Sequence, residues 1–205
     1  MKPDYWSRAK RALARADPVM GAIMRAHPNV FLARRGEPFL TLARAICGQQ
    51  ISVKAAQSVW DRLLACCGEM TPEKVLSKPR PELRACGLSD RKTEYIVDLA
   101  HRFADGLVHP YRWHEMTDEE VIADLVQVRG IGRWTAEMFL IFNLLRPDVF
   151  PLDDLGLQKG IRVSYFRGRA VSLRTMRKLG ESWRPWRSVA TWYLWRSLDP
   201  VPVEY

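Results

Sequence analysis

Apolar residues recur along this chain at three- and four-residue spacing, and strict alternation is almost missing, so the pattern predicts helices throughout. Helix-starting residues stand between the apolar stripes. Asp17-Pro18 sets a side-chain acceptor ahead of a proline suited to the first helical position, and Pro28 ends that segment. Residues 38–50 carry Phe39, Leu42, Ala43 and Ile46 on one stripe. Ser52 caps a helix over 53–66, with Val53, Ala56, Trp60, Leu63 and Leu64 facing inward. Thr71-Pro72-Glu73 opens a short helix, Gly87 follows another, and residues 89–104 align Tyr95, Ile96, Leu99 and Phe103. Thr117-Asp118-Glu119-Glu120 reads as a capping box whose helix runs into Gly130-Ile131-Gly132. Beyond it, Trp134, Met138, Ile141, Phe142 and Leu145 predict a helix from Arg133 to about Leu145. Asp153 is expected to cap a helix over about 154–166, and Ser172 and Pro185 to start the last two. The expected fold class is all-α, with short connections and no repeat.

Residues 125–158 concentrate the candidate chemistry. Gly130 and Gly132, two apart, allow a tight hairpin because glycine takes positive φ without steric cost. They also leave backbone N–H groups bare at a helix N-terminus, a ready site for a phosphate. The stretch closes on two carboxylates, Asp153 and Asp154. Helix, hairpin, helix and then an aspartate is the order of a DNA grip beside an acid/base group.

Gly130-Ile131-Gly132-Arg133-Trp134-Thr135-Ala136, followed by Phe150-Pro151-Leu152-Asp153-Asp154, resembles the helix-hairpin-helix (HhH-GPD) DNA glycosylases, most closely the 3-methyladenine DNA glycosylase II branch. Asp17-Pro18-Val19-Met20, Ala45-Ile46-Cys47-Gly48-Gln49-Gln50-Ile51-Ser52 and Trp183-Arg184-Pro185-Trp186-Arg187-Ser188 agree in order, so the likeness covers residues 17–197. It implies two helical lobes with an active cleft between them. One lobe would hold residues 1–37 and 146–205, and the other 38–145 with the hairpin at 125–136. The short stretch before residue 17 leaves no room for the N-terminal β domain of larger members.

Composition agrees with that partner. The net charge is +9, the footprint of a nucleic-acid binder. Residues 1–35 carry eight Lys/Arg against two acids, and residues 155–196 carry ten against Glu181 alone. The middle is acidic, so the two flanks folded together would make one basic lobe. Double-stranded DNA with damaged bases is the expected partner, bound by a monomer. No apolar run approaches the ~20 residues that span a bilayer, and the N-terminus lacks a secretory apolar core. The expected location is the cytoplasm and nucleoid of a bacterium, or a eukaryotic nucleus. Cys47, Cys66, Cys67 and Cys86 do not have zinc-site spacing. They are expected to be reduced core residues. No cysteine follows Cys86, so the iron–sulfur loop of endonuclease III-type relatives is absent, and no cofactor is required.

Excising a base from a duplex requires rotating it out of the stack. That calls for a grip, a wedge, a base pocket and a group for the sugar chemistry. The grip is Gly130, Ile131 and Gly132 with the N–H groups of Arg133 to Thr135. The resemblance adds a monovalent cation, Na+ or K+, on the carbonyls of Val126, Val128 and Ile131. It places the wedge at the end of the Gly48-Gln49-Gln50-Ile51 turn: Gln50, with Gln49 beside it on DNA. An exposed loop residue is the equal alternative for Gln50. The matching pocket positions are Trp134 and Trp195, with Trp192 and Tyr193 as neighbours. Two positions aromatic in the family are Met138 and Leu155 here. Core roles are the default for Trp60, Trp183 and Trp186. The catalytic position is Asp154, whose carboxylate would stabilise positive charge developing on the sugar; a shift of one residue would give that part to Asp153. Relatives that also cut the strand hold a lysine where this chain has Trp134. The resemblance therefore implies a monofunctional glycosylase that hydrolyses alkylated purines, of the 3-methyladenine and 7-methylguanine type, from DNA. A non-catalytic helix-hairpin-helix binding module and an endonuclease III-like lyase are the alternatives.

Overall fold

The computed structural model describes residues 2–198. Among them are twelve α-helices and no strand. In order they are α1 (Trp6–Ala16), α2 (Pro18–Ala26), α3 (Pro38–Gly48), α4 (Val53–Cys67), α5 (Pro72–Leu76), α6 (Arg80–Ala85), α7 (Asp90–Ala104), α8 (Asp118–Leu125), α9 (Arg133–Phe142), α10 (Leu155–Phe166), α11 (Leu173–Glu181) and α12 (Arg187–Leu198). The chain divides into two compact units, residues 2–34 with 140–198 and residues 35–139, so the second boundary falls within α9. Residues 1 and 199–205, which the expected first lobe includes, lie outside the described residues. No described helix is long and apolar enough to cross a membrane.

The first unit contains α1, α2, α10, α11 and α12, and both basic flanks of the sequence fall in it. Asp17 is its junction. Its Oδ1 accepts the Val19 and Met20 N–H groups, which caps α2, while Oδ2 accepts the Tyr165 hydroxyl at 2.6 Å and Trp183 Nε1–H at 3.0 Å. One carboxylate thus ties α2 to α10 and to the segment after α11, and burial and that bond push the Tyr165 hydroxyl pKa up. Trp6 of α1 stacks against Tyr193 of α12 at 5.9 Å, both buried.

The second unit packs Leu42, Ile46, Leu63, Leu83, Ile96 and Leu99 from α3, α4, α6 and α7 into one core. Each such side chain contributes about 2–3 kcal/mol of transfer free energy. Buried Asp124 of α8 accepts Trp113 Nε1–H at 2.7 Å and the His109 backbone N–H at 3.0 Å, which fastens the 105–117 connection to the helix before the hairpin. Cys47, Cys67 and Cys86 are buried free thiols and Cys66 is half-buried. Desolvation pushes the Cys47 pKa up to about 12.

Most caps form as the sequence predicts. Ser52, Thr71 and Ser172 each accept a backbone N–H three residues on, and Thr117 and Glu120 complete the capping box; Ser89, expected inside its helix, caps α7 instead. Val53, expected to face inward, is instead exposed on the first turn of α4, and four further features differ. α1 is an additional helix; its buried stripe is only Trp6, Ala9 and Leu13, set among basic side chains. α9 ends at Phe142 rather than Leu145, because Leu145 turns left-handed (φ 54°) and the Arg146 N–H folds back onto Leu140 C=O at 2.9 Å. Asp154, not Asp153, caps α10: the Asp154 N–H closes a turn onto Pro151 C=O, and this moves the helix start one residue on. Pro185 does not start α12. Residues 182–186 form tight turns of i to i−3 bonds, and the helix begins at Arg187, which is anchored to Asp148 by a 2.8 Å Nε–Oδ1 bond.

Candidate nucleic-acid interface and carboxylate site

In the second unit, α8 gives way to turns through Val126–Gly130 and α9 starts at Arg133. The Val128 N–H donates to Leu125 C=O and the Ile131 N–H to Val128 C=O, both at 3.1 Å, while Val128 and Ile131 are buried as the hairpin's apolar anchors. The two glycines have different reasons to be there. Gly130 has φ 82°, and a Cβ on it would lie 2.2 Å from the Tyr95 ring. Gly132 has no such constraint: a Cβ there would meet nothing within 4 Å. Its carbonyl accepts the Ala136 N–H at 3.1 Å as α9 begins. The first N–H groups of a helix have no intrahelical acceptor, and the helix dipole favours an anion beside them.

Three residues of α7 hold this hairpin. Tyr95 packs under Gly130, Asp98 Oδ2 accepts the Arg129 N–H at 2.9 Å, and Glu94 pairs with the Arg129 guanidinium. Gln49, at the end of α3, donates its side-chain N–H to Gly130 C=O at 2.8 Å. Gln50 follows it, exposed and with φ 58°. The Arg133 guanidinium is engaged by Glu119 and Glu137, and holds the Glu119 carboxyl below the usual carboxylate range. Thr135 is buried, while the Arg133 and Trp134 side chains and Gly132 are exposed. Trp134 is 37% exposed on the first turn of α9, and Met138 is buried one turn further on.

In the first unit, Asp154 is half-buried at the N-terminus of α10. Its Oδ1 accepts two donors, the Leu157 N–H at 2.6 Å and Trp195 Nε1–H at 2.8 Å. The Trp195 ring stacks on Phe142 at 5.8 Å with 15° between planes, and Phe142 meets buried Trp192 edge-on at 6.0 Å. Arg196 lies over the Trp192 ring at 4.5 Å. Gly156 lets this cluster close: a Cβ there would sit 3.1 Å from Asp154 Oδ1 and 3.3 Å from the Trp195 indole. Leu155 is 74% exposed beside it, Asp153 is exposed, and Tyr193 is buried against Trp6.

Asp154, Trp195 and Trp192 thus stand together in one unit, and Gly130, Ile131, Gly132 and Gln49 in the other. Phe142, Gly156, Tyr95 and Asp98 are site residues that the sequence reading lacks. Phe142 and Tyr95 look like ordinary members of apolar stripes, and only the Gly at the second position of α10 was a local signal. Trp60 and Trp183 are buried as expected, and Trp186 is half-buried against Tyr5.

Known proteins resemble this chain in sequence and fold. DNA-3-methyladenine glycosylase 1 of Schizosaccharomyces pombe is 36% identical over 174 residues, which are 83% of this chain and 76% of that protein. The crystal structure of a DNA-3-methyladenine glycosidase from Bacillus halodurans superposes with a TM-score of 0.84 at 31% identity, over 92% of this chain and 87% of that one. The S. pombe 3-methyladenine DNA glycosylase in complex with abasic DNA superposes at 0.81 and 32% identity, over 96% of this chain and 100% of that one. The family model for HhH-GPD base excision DNA repair proteins matches residues 43–185. With that match and these relatives, the chain belongs to the HhH-GPD superfamily of base excision DNA repair proteins.

Proposed function

We propose that this protein is a monofunctional DNA glycosylase that excises alkylated purines of the 3-methyladenine and 7-methylguanine type from duplex DNA and leaves an abasic site. The observation that carries the reading is the Asp154 carboxylate, aimed by the Trp195 N–H and a helix N-terminus and set beside an aromatic cluster. As the N-glycosidic bond breaks, its electron pair leaves with the base and positive charge appears on the sugar. A fixed carboxylate stabilises that charge far better than mobile water does. Water then bonds to C1′ and gives up a proton. A purine alkylated on a ring nitrogen is cationic and becomes neutral on leaving, so modest assistance suffices. Before it leaves, its charge favours an aromatic face by ~0.5–2 kcal/mol; half-buried Trp195 supplies it, backed by Phe142. Leu155 flanks the cluster, and the assignment of Trp134 and Met138 to base binding rests on family resemblance.

The grip is the backbone of Gly130 to Thr135. The N–H groups of Arg133 to Thr135 face a phosphate, and Gly132 lets the strand approach closely. Val128 C=O spends one lone pair on the Ile131 N–H and has a second. With the Val126 and Ile131 carbonyls it would hold a monovalent cation, which adds positive charge beside the same phosphate. Gln50 is the wedge. Trp134 stands where strand-cutting relatives hold lysine, so no Schiff base forms and the product is an abasic site.

The test is to incubate the protein with methylated duplex DNA, separate the released bases by chromatography, and assay strand breaks before and after alkali. Free 3-methyladenine or 7-methylguanine with alkali-dependent breaks supports the proposal. Breaks without alkali would indicate a lyase, and binding without release would leave a DNA-binding module.

A further inference from the structure

We propose that Gln49 is a positioning residue that locks the turn presenting Gln50 to the phosphate-binding hairpin, so that gripping the strand and filling the gap behind a flipped base occur as one rigid act. The inference deepens the functional reading above and rests on it. Its geometry lies wholly within the second unit. Gln49 Nε2 donates to Gly130 C=O at 2.8 Å, and because that partner is a carbonyl, only the amide's NH2 end can face it. The acceptor is itself immobilised: Gly130 is left-handed over the Tyr95 ring, and its neighbour Arg129 donates its N–H to Asp98.

The end of α3 that leads into the turn is tied to α7 as well. Lys92 Nζ donates to Cys47 C=O at 2.8 Å, just before the turn begins. Lys92, Tyr95 and Asp98 recur every third residue, so one stripe of α7 holds both the end of α3 and the hairpin. Directly after these ties comes Gln50 with φ 58°, a backbone region that a residue bearing a side chain rarely occupies. Such a conformation persists only where its surroundings over-determine it. Here the surroundings are Gln49 on the hairpin and Lys92 on α3. The resemblance places Gln49 beside Gln50 on DNA; here its amide N–H is given to the hairpin, and its influence on DNA passes through Gln50.

The test compares wild type, Gln49→Met, Gln50→Ala and the double variant. Single-turnover base release from methylated duplex is one readout. Another is the fluorescence of 2-aminopurine opposite a tetrahydrofuran abasic analogue, which reports filling of the gap. Losing one hydrogen bond predicts a roughly three- to tenfold slower release in Gln49→Met, with affinity for undamaged duplex unchanged. The double variant should be no slower than the slower single one, because both changes act at one step. A double variant slowed by the product of the two effects would overturn the proposal, as would undamaged-duplex affinity that falls with Gln49→Met. Gln50→Ala without effect on either readout would also overturn it. Wild type that releases no base refutes the glycosylase reading instead; the 2-aminopurine signal then decides the positioning role by the same rule. A thermal melt of each variant, with Gln49→Ala as the substitute if Gln49→Met folds poorly, separates these outcomes from loss of fold.

Discussion

The two glycines of the hairpin should respond oppositely to the same methyl group. Gly130→Ala places a side chain on a backbone with φ 82°, which costs roughly 1–2 kcal/mol. Its Cβ would also fall 2.2 Å from Tyr95 Cδ2, inside any tolerable contact. Moving a packed ring adds about 1–3 kcal/mol. The sum is about 2–5 kcal/mol, which for a chain of this size is a fall in Tm of roughly 5–15 °C. Gly132→Ala has open space at its Cβ and no positive φ, so it should leave stability unchanged or raise it by roughly 0.4–1 kcal/mol. The open space is where the account puts a phosphate, so this variant should lose at least about tenfold in affinity for duplex DNA, equivalent to 1.4 kcal/mol. Thermal melts and anisotropy titrations at one fixed salt concentration measure both. If Gly130→Ala melts with wild type, the packing argument is wrong; if Gly132→Ala binds DNA as tightly as wild type, the hairpin is only a turn.

Three further outcomes are expected. Trp195→Phe keeps a ring to stack on Phe142 but removes the N–H that aims Asp154, so single-turnover excision should fall about tenfold while stability drops by only the ~1 kcal/mol of one hydrogen bond. Gly156→Ala forces Asp154 and the Trp195 indole apart by a few tenths of an ångström; excision should slow with DNA affinity unchanged, and an excision rate equal to wild type would show that the bond does not matter. The Cys47 thiol, raised by burial from 9.0 to about 12, favours the folded state while protonated. That stability is complete below the unfolded pKa and is lost as pH climbs from about 9 towards 12, and the raised hydroxyls of Tyr5 and Tyr165 act in the same direction. Melts at neutral and alkaline pH should therefore show Tm falling with pH, with a smaller fall in Cys47→Ala.

Local signals survived the step from sequence to structure where one residue type settles the geometry. Asp17, Ser52, Thr71, Thr117 and Ser172 cap helices because their side chains reach an N–H two or three residues on, whatever the tertiary context. Helix ends were less legible. The stripe through Leu145 continues past the point where the chain turns, because the left-handed Leu145 is fixed by a backbone bond to Leu140 that no residue type announces. The Asp153-Asp154 pair shows the same limit. Either aspartate can cap, and a turn onto Pro151 C=O decides that Asp154 does, so the residue proposed to act on the sugar is also the one held by the helix N-terminus. Partners distant in sequence were invisible. Nothing in the sequence pairs Gln49 with Gly130, 81 residues on, or Trp195 with Asp154, 41 residues before it.

Asp154→Asn separates the fixed negative charge acting on the sugar from the other roles of this side chain. Asparagine caps a helix about as well as aspartate, and its side-chain oxygen can still accept the Leu157 and Trp195 N–H groups, so the substitution removes charge and little else. The measurement is the single-turnover rate of 7-methylguanine release from methylated duplex, with Tm and affinity for an abasic duplex taken on the same protein. The account predicts a rate reduced at least about a hundredfold, of the order seen when one preorganised electrostatic contact to a transition state is lost, with melting and binding close to wild type. A variant that still releases base within a few-fold of the wild-type rate would contradict it.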